Sequence, residues 1–357
     1  MATLDSPIAT PGAWKGPEIN YEAEALHVFS AGELAEIDRA LRHLKGLGEL
    51  DIPGITRETF PLDRLGVFLT GLQDRLRFGR GFIMLRGLPR QNYDADDMAR
   101  IYFGLGSYVG TPINQSFAGD LLGHVIDVDD IEPKSRAYRK GGPQFMHSDS
   151  ADAVALMCIR AARSGGASRI SSALAVYNEI LNTRPDLARA LRDGFHYGRS
   201  EQDALHATCA VSREPVPILT ENETGEVSSY FLGGYVRNAV RYGYSITPLQ
   251  AEAIAAFERI AASPEFYLDM SFAEGDIQIL NNRIVVHGRT NYEDERDVAR
   301  RRHLMRLWLA VPSWPKLPDR QVFHKDADHS LWARNRRPFM EMPSVHFRNL
   351  TALAAAE

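Results

Sequence analysis

Four short segments in the middle of the chain constrain the fold most: "LLGHVIDV" (121–128), "QFMHSD" (144–149), "AVALMCIRAA" (153–162) and "SRISSA" (168–173). Each reads as an extended strand, and turn-forming residues lie between them. "GFIMLRGLP" (81–89) reads as a buried strand closed by Gly and Pro, and "GDIQILNN" with "RIVVHGR" (275–289) gives a turn and two more strands. Helical patterns flank or interrupt these runs. Ser30 and Glu33 form a capping box ahead of "LAEIDRALRHL". Residues 62–78 carry apolar side chains at helical spacing. Asp94 caps a helix reaching 110, with Asp96 and Asp97 in its first turn. Residues 173–193 are helical, with Pro185 restarting a second helix, and Thr247 opens a capped helix to 264. The rest of the second half reads as strand-rich. Helices first, then many short strands with helical insertions, argues against alternating βαβ units. The order predicts a mainly β core, barrel or jelly roll, with flanking helices. Patterning alone leaves the jelly roll and other β-rich barrels open.

At 357 residues the chain suffices for one large domain or two smaller ones. No linker, repeat or low-complexity stretch divides it, so a single domain over 21–357 with helical insertions is expected. Residues 1–20, rich in Pro, Gly, Ala and Thr, read as a flexible arm. The longest apolar run, "AVALMCI" (153–159), falls far short of the ~20 residues that span a bilayer. The N-terminus has no signal-like apolar region. A soluble, cytoplasmic protein is therefore expected. A net charge of -5 offers no global basic field to nucleic acid. The two cysteines, Cys158 and Cys209, are too few for a disulfide framework. Homo-oligomerisation leaves no readable mark.

His147 and Asp149 are two residues apart and so share one side of a strand. His287 lies near the end of "RIVVHGR". Two neutral imidazoles and one carboxylate on one face of a metal leave three adjacent positions open, the donor set of non-haem Fe(II) oxygenases. A closed zinc site would want a fourth protein ligand, often Cys, and neither cysteine is close in sequence. A solvated His beside an Asp at a strand end gives the same letters, and His287 alone fits a structural histidine. His124, His196, His206 and His303 have no acidic neighbour at matching spacing and read as structural. In "RRRHLMRLWLAV" (300–311), alternation puts Arg302, Leu304, Arg306 and Trp308 on one side and His303, Met305, Leu307 and Leu309 on the other. A basic strand end packed on the acidic "YEDERD" (292–297) accounts for the arginines as well as a ligand does. An oxygenase that consumes a 2-oxoacid must, however, anchor a dicarboxylate, and guanidinium offers carboxylates a planar pair of donors.

Taken together, "FMHSDSADAVALMCIRAARSGGASRISSALAVYNEIL" and "GDIQILNNRIVVHGRTNYED…RRRHLMRLWL" resemble the taurine/2-oxoglutarate dioxygenase (TauD/TfdA-like) family, over residues 80–312. The resemblance implies a double-stranded β-helix (jelly-roll, cupin-like) core with flanking helices, of α+β class. It implies Fe(II), 2-oxoglutarate and O2. Residue by residue, it makes His147, Asp149 and His287 the iron ligands. Ser168 falls where a hydroxyl bonds the distal carboxylate of 2-oxoglutarate, and Arg302 matches the arginine that pairs with that carboxylate. Arg306 matches a second arginine that reaches either the substrate's acidic group or the cosubstrate.

The implied reaction is oxidation, foremost hydroxylation, of an unactivated C–H bond, with release of succinate and CO2. Asp149 speaks against halogenation, because halogenating relatives have a small residue there. A small, anionic substrate is expected. Asn114, Gln115, Phe117, Gln144 and Tyr230 are candidate contacts, with His124 on the following strand. Desaturation, ring closure and carbon–heteroatom cleavage use the same ligands. A cupin-like metal enzyme without 2-oxoglutarate would leave Ser168 and Arg302 idle, and a non-catalytic binding protein would tolerate His147→Ala. Ser148, pointing away from the two ligands, is expected to be dispensable.

Overall fold

The computed structural model describes residues 4–48, 50, 52–115, 120–130, 137–200, 204, 207 and 209–323. Phe117 and His206 lie outside the described residues. Two sheets form the core. Their strands are β1 (Leu26–Val28), β2 (Phe82–Arg86), β3 (Thr111–Pro112), β4 (Gly123–Ile126), β5 (Gln144–His147) and β6 (Ala153–Arg160). After these come β7 (Ser168–Ser172), β8 (Tyr267–Met270), β9 (Ile277–Asn281), β10 (Val285–Arg289) and β11 (His303–Ala310). The larger sheet runs β1-β2-β9-β6-β11-β3, with β4 also on β11; the smaller runs β8-β7-β10-β5. Only β1 and β2 pair in parallel within these sheets.

The apolar run at 153–159 becomes β6, buried between β9 and β11. Helices α1 (Ala31–Gly46), α2 (Arg64–Phe78) and α3 (Ala95–Val109) cover the larger sheet. Ile37, Leu69 and Ile101 join Ala155, Ile279, Met305, Leu307 and Leu309 in one apolar cluster. The expected capping box of Ser30 with Glu33 is present, and Thr247, expected as a cap, forms a second box with Gln250. A second cluster brings α4 (Ala173–Thr183), α5 (Pro185–Asp193) and a later helix, Pro248–Ala261, against Ile170 and Val286 of the smaller sheet. The polar pocket described below opens on the other faces of β6 and β11.

Two expectations fail. The second half was read as strand-rich outside 247–264, yet Gly233–Arg241 is a helix. Its sequence starts with two glycines and has no capping side chain, so local signals are poor, and burial of Val236 and Ala239 holds it. The stretch 4–20, expected to be a flexible arm, is packed. Trp14 is buried and donates from Nε1 to the Arg80 carbonyl at 2.7 Å. Asn178 clasps Ile8 through both backbone groups, and Ser172 Oγ donates to the Gly12 carbonyl. Gly16 passes so close to Tyr267 that a Cβ there would lie 1.8 Å from its carbonyl oxygen. Ile8, Trp14 and Ile19 are few, but each sits in the core, and composition averaged over the stretch hides them. No helix among the described residues is long and apolar enough to cross a membrane.

Candidate metal centre and anion pocket

β5 ends on His147, and antiparallel pairing with β10 sets His287 directly opposite, with ring centroids 4.5 Å apart. Asp149 follows β5 in a loop clamped by Asn282. The Asp149 amide donates to Asn282 Oδ1 at 2.9 Å, and Asn282 Nδ2 donates to the carbonyls of Asp149 and Ala151 at 2.6 and 2.7 Å. One ligand atom from each of His147, Asp149 and His287 falls within 4.8 Å of the others. The three residues brought together are thus the three expected from sequence.

Hydrogen bonds choose which atoms are offered. His147 Nδ1 faces the Phe145 carbonyl at 2.8 Å; a carbonyl only accepts, so Nδ1 carries the proton and Nε2 keeps its lone pair. Burial, aided by His287, lowers the His147 pKa to about 4 against the pull of Asp149, so this imidazole is neutral at neutral pH. Burial pushes the Asp149 carboxyl up, but Arg306 and then the two histidines outweigh it and hold it well below the usual carboxylate range. Its Oδ2 accepts from Trp308 Nε1 at 2.8 Å and, more distantly, from Arg306 Nη1 at 3.4 Å. Oδ1, 3.9 Å from His147 Nε2, has no hydrogen bond among the described residues. A neutral imidazole with a free Nε2, a second histidine whose Nε2 lies 3.6 Å from Asp149 Oδ2, and a carboxylate oxygen turned to His147 fit a divalent iron ion.

Beside this cluster lies a small pocket lined by Tyr138, Gln144, Ser168, Arg289, Arg302 and Arg306, among others. Ser168 is buried and donates to Gln278 Oε1 at 2.7 Å. Arg302 is buried, and its guanidinium donates to one carbonyl, Gly166 O at 3.0 Å, with no carboxylate within ion-pair distance among the described residues. Burial and the nearby Arg289 lower its pKa to about 10, which leaves it a cation at neutral pH. Gly166 has φ +73, and a Cβ there would lie 2.9 Å from Arg302 Nε, so glycine makes the bed for this guanidinium.

The substrate candidates divide. Gln144 lines the pocket, whereas Asn114 and Tyr230 do not; the Tyr230 hydroxyl pairs with Ser150 Oγ at 2.6 Å. Gln115 is fully buried and bound to Arg306 instead of facing a ligand. His124 is turned to the far side of β4 and pairs with His303 at 2.9 Å. Ser148 does point away from the centre, but it is not idle: it exchanges hydrogen bonds with Phe231, N to O at 2.7 Å and Oγ from N at 3.2 Å. The sequence reading missed Asn282, Trp308 and Arg289. Strand alternation could have found two of them, since Trp308 shares a face with Arg306 and Arg289 with His287. Asn282 has no such signal. Arg289 donates to the carbonyls of Lys140 and Gly142.

A jelly-roll core with a His-Asp-His cluster beside an arginine-lined pocket defines a class, the iron-dependent oxygenases that consume 2-oxoglutarate. The chain belongs to the taurine catabolism dioxygenase TauD, TfdA family, whose model matches residues 44–308. It is accordingly an oxidoreductase that uses Fe(II), 2-oxoglutarate and O2 on a small molecule. It is 26% identical to FR-33289 synthase of Streptomyces rubellomurinus (strain ATCC 31215), over 90% of this chain and 96% of that protein. It is 29% identical to the taurine hydroxylase-like protein SAT17 of Stachybotrys chartarum (strain CBS 109288 / IBT 7711), over 92% and 88%. An asparagine oxygenase solved with Fe(II), 2S,3S-3-hydroxyasparagine and succinate has the same fold, with a TM-score of 0.64 at 16% identity, covering 80% of this chain and 93% of that one. So has the non-heme iron oxygenase OrfP with Fe and alpha-ketoglutaric acid, with a TM-score of 0.57 at 13% identity, covering 80% and 94%.

Proposed function

We propose that this enzyme hydroxylates a C–H bond of a small anionic substrate in secondary metabolism. In this reading His147 Nε2, Asp149 Oδ1 and His287 Nε2 hold the iron. When bound, the iron supplies the oxidative chemistry, coupling decarboxylation of 2-oxoglutarate to oxidation of the substrate. Arg302 and Ser168 receive the distal carboxylate of 2-oxoglutarate, Arg302 through charge-assisted bonds and Ser168 through its hydroxyl proton, which turns to it from Gln278 Oε1. Arg306, nearer the metal ligands, receives the acidic group of the substrate on its free Nη2. Trp308 and Asn282 orient Asp149, one through the carboxylate and one through the backbone. A cytoplasmic enzyme built as a single domain, with the stretch from residue 4 packed into its core, belongs to the same reading.

The observation that carries it is the pairing state of the two arginines. A buried guanidinium without a carboxylate is costly unless a ligand supplies the partner. Arg302 is in that state, while Arg306 is held on two of its three nitrogens and keeps the third. The name of one relative, taurine hydroxylase-like, supports a small anionic substrate. The test is substrate-stimulated succinate release across matched panels of carboxylates, sulfonates and phosphonates and their neutral esters or amides. Stimulation by acids that is lost in Arg306→Ala supports the reading. Equal stimulation by neutral analogues, or an Arg306→Ala enzyme with unchanged kinetics, overturns it.

A further inference from the structure

We propose that Gln115 is a positioning residue that grips Arg306 from behind and fixes which edge of its guanidinium meets the pocket. The inference rests on the reading of Arg306 as an anion receptor and deepens it. Gln115 is fully buried, and one amide holds both ends of Arg306. Its Nε2 donates to the Arg306 main-chain carbonyl at 2.8 Å and to the Leu121 carbonyl at 3.1 Å, and its Oε1 accepts from Arg306 Nε at 2.8 Å. Both carbonyls can only accept and Nε–H can only donate, so the amide has one satisfactory orientation.

Guanidinium is planar, and pinning Nε therefore sets the other two nitrogens. Nη1 then lies 3.4 Å from Asp149 Oδ2, and Nη2 is left buried and unpartnered. Tyr138 and Trp308 hold the same guanidinium by its faces, with ring centres 4.4 and 5.0 Å from Cζ. An amide also does what a carboxylate at 115 would not. It restrains Arg306 without cancelling its charge, so the field offered to an anion survives.

Gly123 completes the device. It sits opposite Arg306 in the β4–β11 ladder, and a Cβ there would come within 2.7 Å of Gln115 Oε1. The backbone at 123 does not have a positive φ, so the lack of a side chain serves to make room and not to permit a turn. Gly123→Ala therefore displaces the Gln115 amide without deleting any polar group.

The experiment compares the full-length wild type with Gln115→Leu, Gly123→Ala and Arg306→Ala. Each is loaded anaerobically with Fe(II), titrated with 2-oxoglutarate, and read by the iron-to-ketoacid charge-transfer absorption. The band reports the donor strength of Asp149, which Arg306 modulates through Oδ2. Gln115→Leu and Gly123→Ala are expected to shift the band in the direction seen for Arg306→Ala, with the 2-oxoglutarate dissociation constant changed less than about threefold, because Arg302 is untouched. Gly123→Ala keeps the test decisive should Gln115→Leu fail to fold. A folded Gly123→Ala protein with the wild-type band, while Arg306→Ala shifts it, refutes the clamp and leaves the Arg306 reading standing. An unshifted band in Arg306→Ala refutes the coupling of Arg306 to the metal site itself.

Discussion

Asn282→Ala isolates how far the metal centre depends on a residue that touches a ligand only through that ligand's backbone. The side chain makes three hydrogen bonds of 2.6 to 2.9 Å to the backbone of the loop that carries Asp149, two of them buried and the one to Ala151 part-buried. At about 1 kcal/mol net per bond, their loss costs on the order of 3 kcal/mol, and more where the freed amide and carbonyls stay dry. The loop would then be released just where Asp149 must be held. Outer-layer substitutions of this kind typically weaken metal binding by about 10–100-fold. Denaturant unfolding measures the first effect, and anaerobic Fe(II) titration of the folded protein measures the second. Asn282→Asp sharpens the test. It keeps an acceptor for the Asp149 amide but turns a carboxylate onto two carbonyl oxygens, so it should be less stable than the alanine variant. An aspartate variant as stable as alanine, or an alanine variant with wild-type iron affinity, would show that the clamp does not set the site.

Arg302→Ala should raise the 2-oxoglutarate requirement by roughly 10–100-fold, the worth of a charge-assisted pair, with metal binding intact; unchanged dependence in steady-state succinate assays would sink its assignment. Trp308→Phe removes the N–H donor to Asp149 Oδ2 together with part of a buried indole, so Fe(II) affinity of the folded protein is expected to fall about tenfold, alongside a loss of thermal stability from the smaller ring. Ser148→Ala should cost about 1 kcal/mol in denaturant unfolding, through its bond to Phe231, and leave 2-oxoglutarate binding unchanged. Trp14→Ala should cost about 3–5 kcal/mol, because the ring is buried against Phe82, whereas a mobile arm would lose nothing.

What was legible in the sequence is what period and chemistry encode locally. The helix caps at Ser30 and Thr247, the buried β6 and the sidedness of β11 follow from nearest neighbours, whereas Asp149, expected on a strand face with His147, lies in the loop after β5, where Asn282 holds it. The pairing of His147 with His287 is a matter of register between distant strands, which no local pattern specifies; family resemblance supplied it. The resemblance did not supply Asn282 or the turn of Gln115 towards Arg306, because an amide's role depends on the backbone groups that happen to surround it. The N-terminal stretch misled for a related reason. Three well-placed apolar side chains outweigh a composition rich in Pro, Gly and Thr once a surface exists to receive them.

Charge in the pocket bears on the substrate as well as the cosubstrate. Arg289, Arg302 and Arg306 line it, and among its described lining residues there is no carboxylate. Asp149 adjoins Arg306 from the metal side, and Asp294 lies on the main-chain side of Arg302, accepting from its amide. Arg289 is satisfied by carbonyls, which solvate its charge without neutralising it. The lining carries three guanidiniums against Asp149, tempered at Arg289 and Arg302 by Asp294 and at Arg289 also by Asp127, and a divalent cation and 2-oxoglutarate, as a dianion, would offset each other. Under the proposed function, the nitrogen that Arg306 keeps free is where a further anion would be favoured and a cationic substrate penalised. If small cations stimulated turnover as well as acids do, this argument would be wrong at its root, whichever residue proved to hold the cosubstrate.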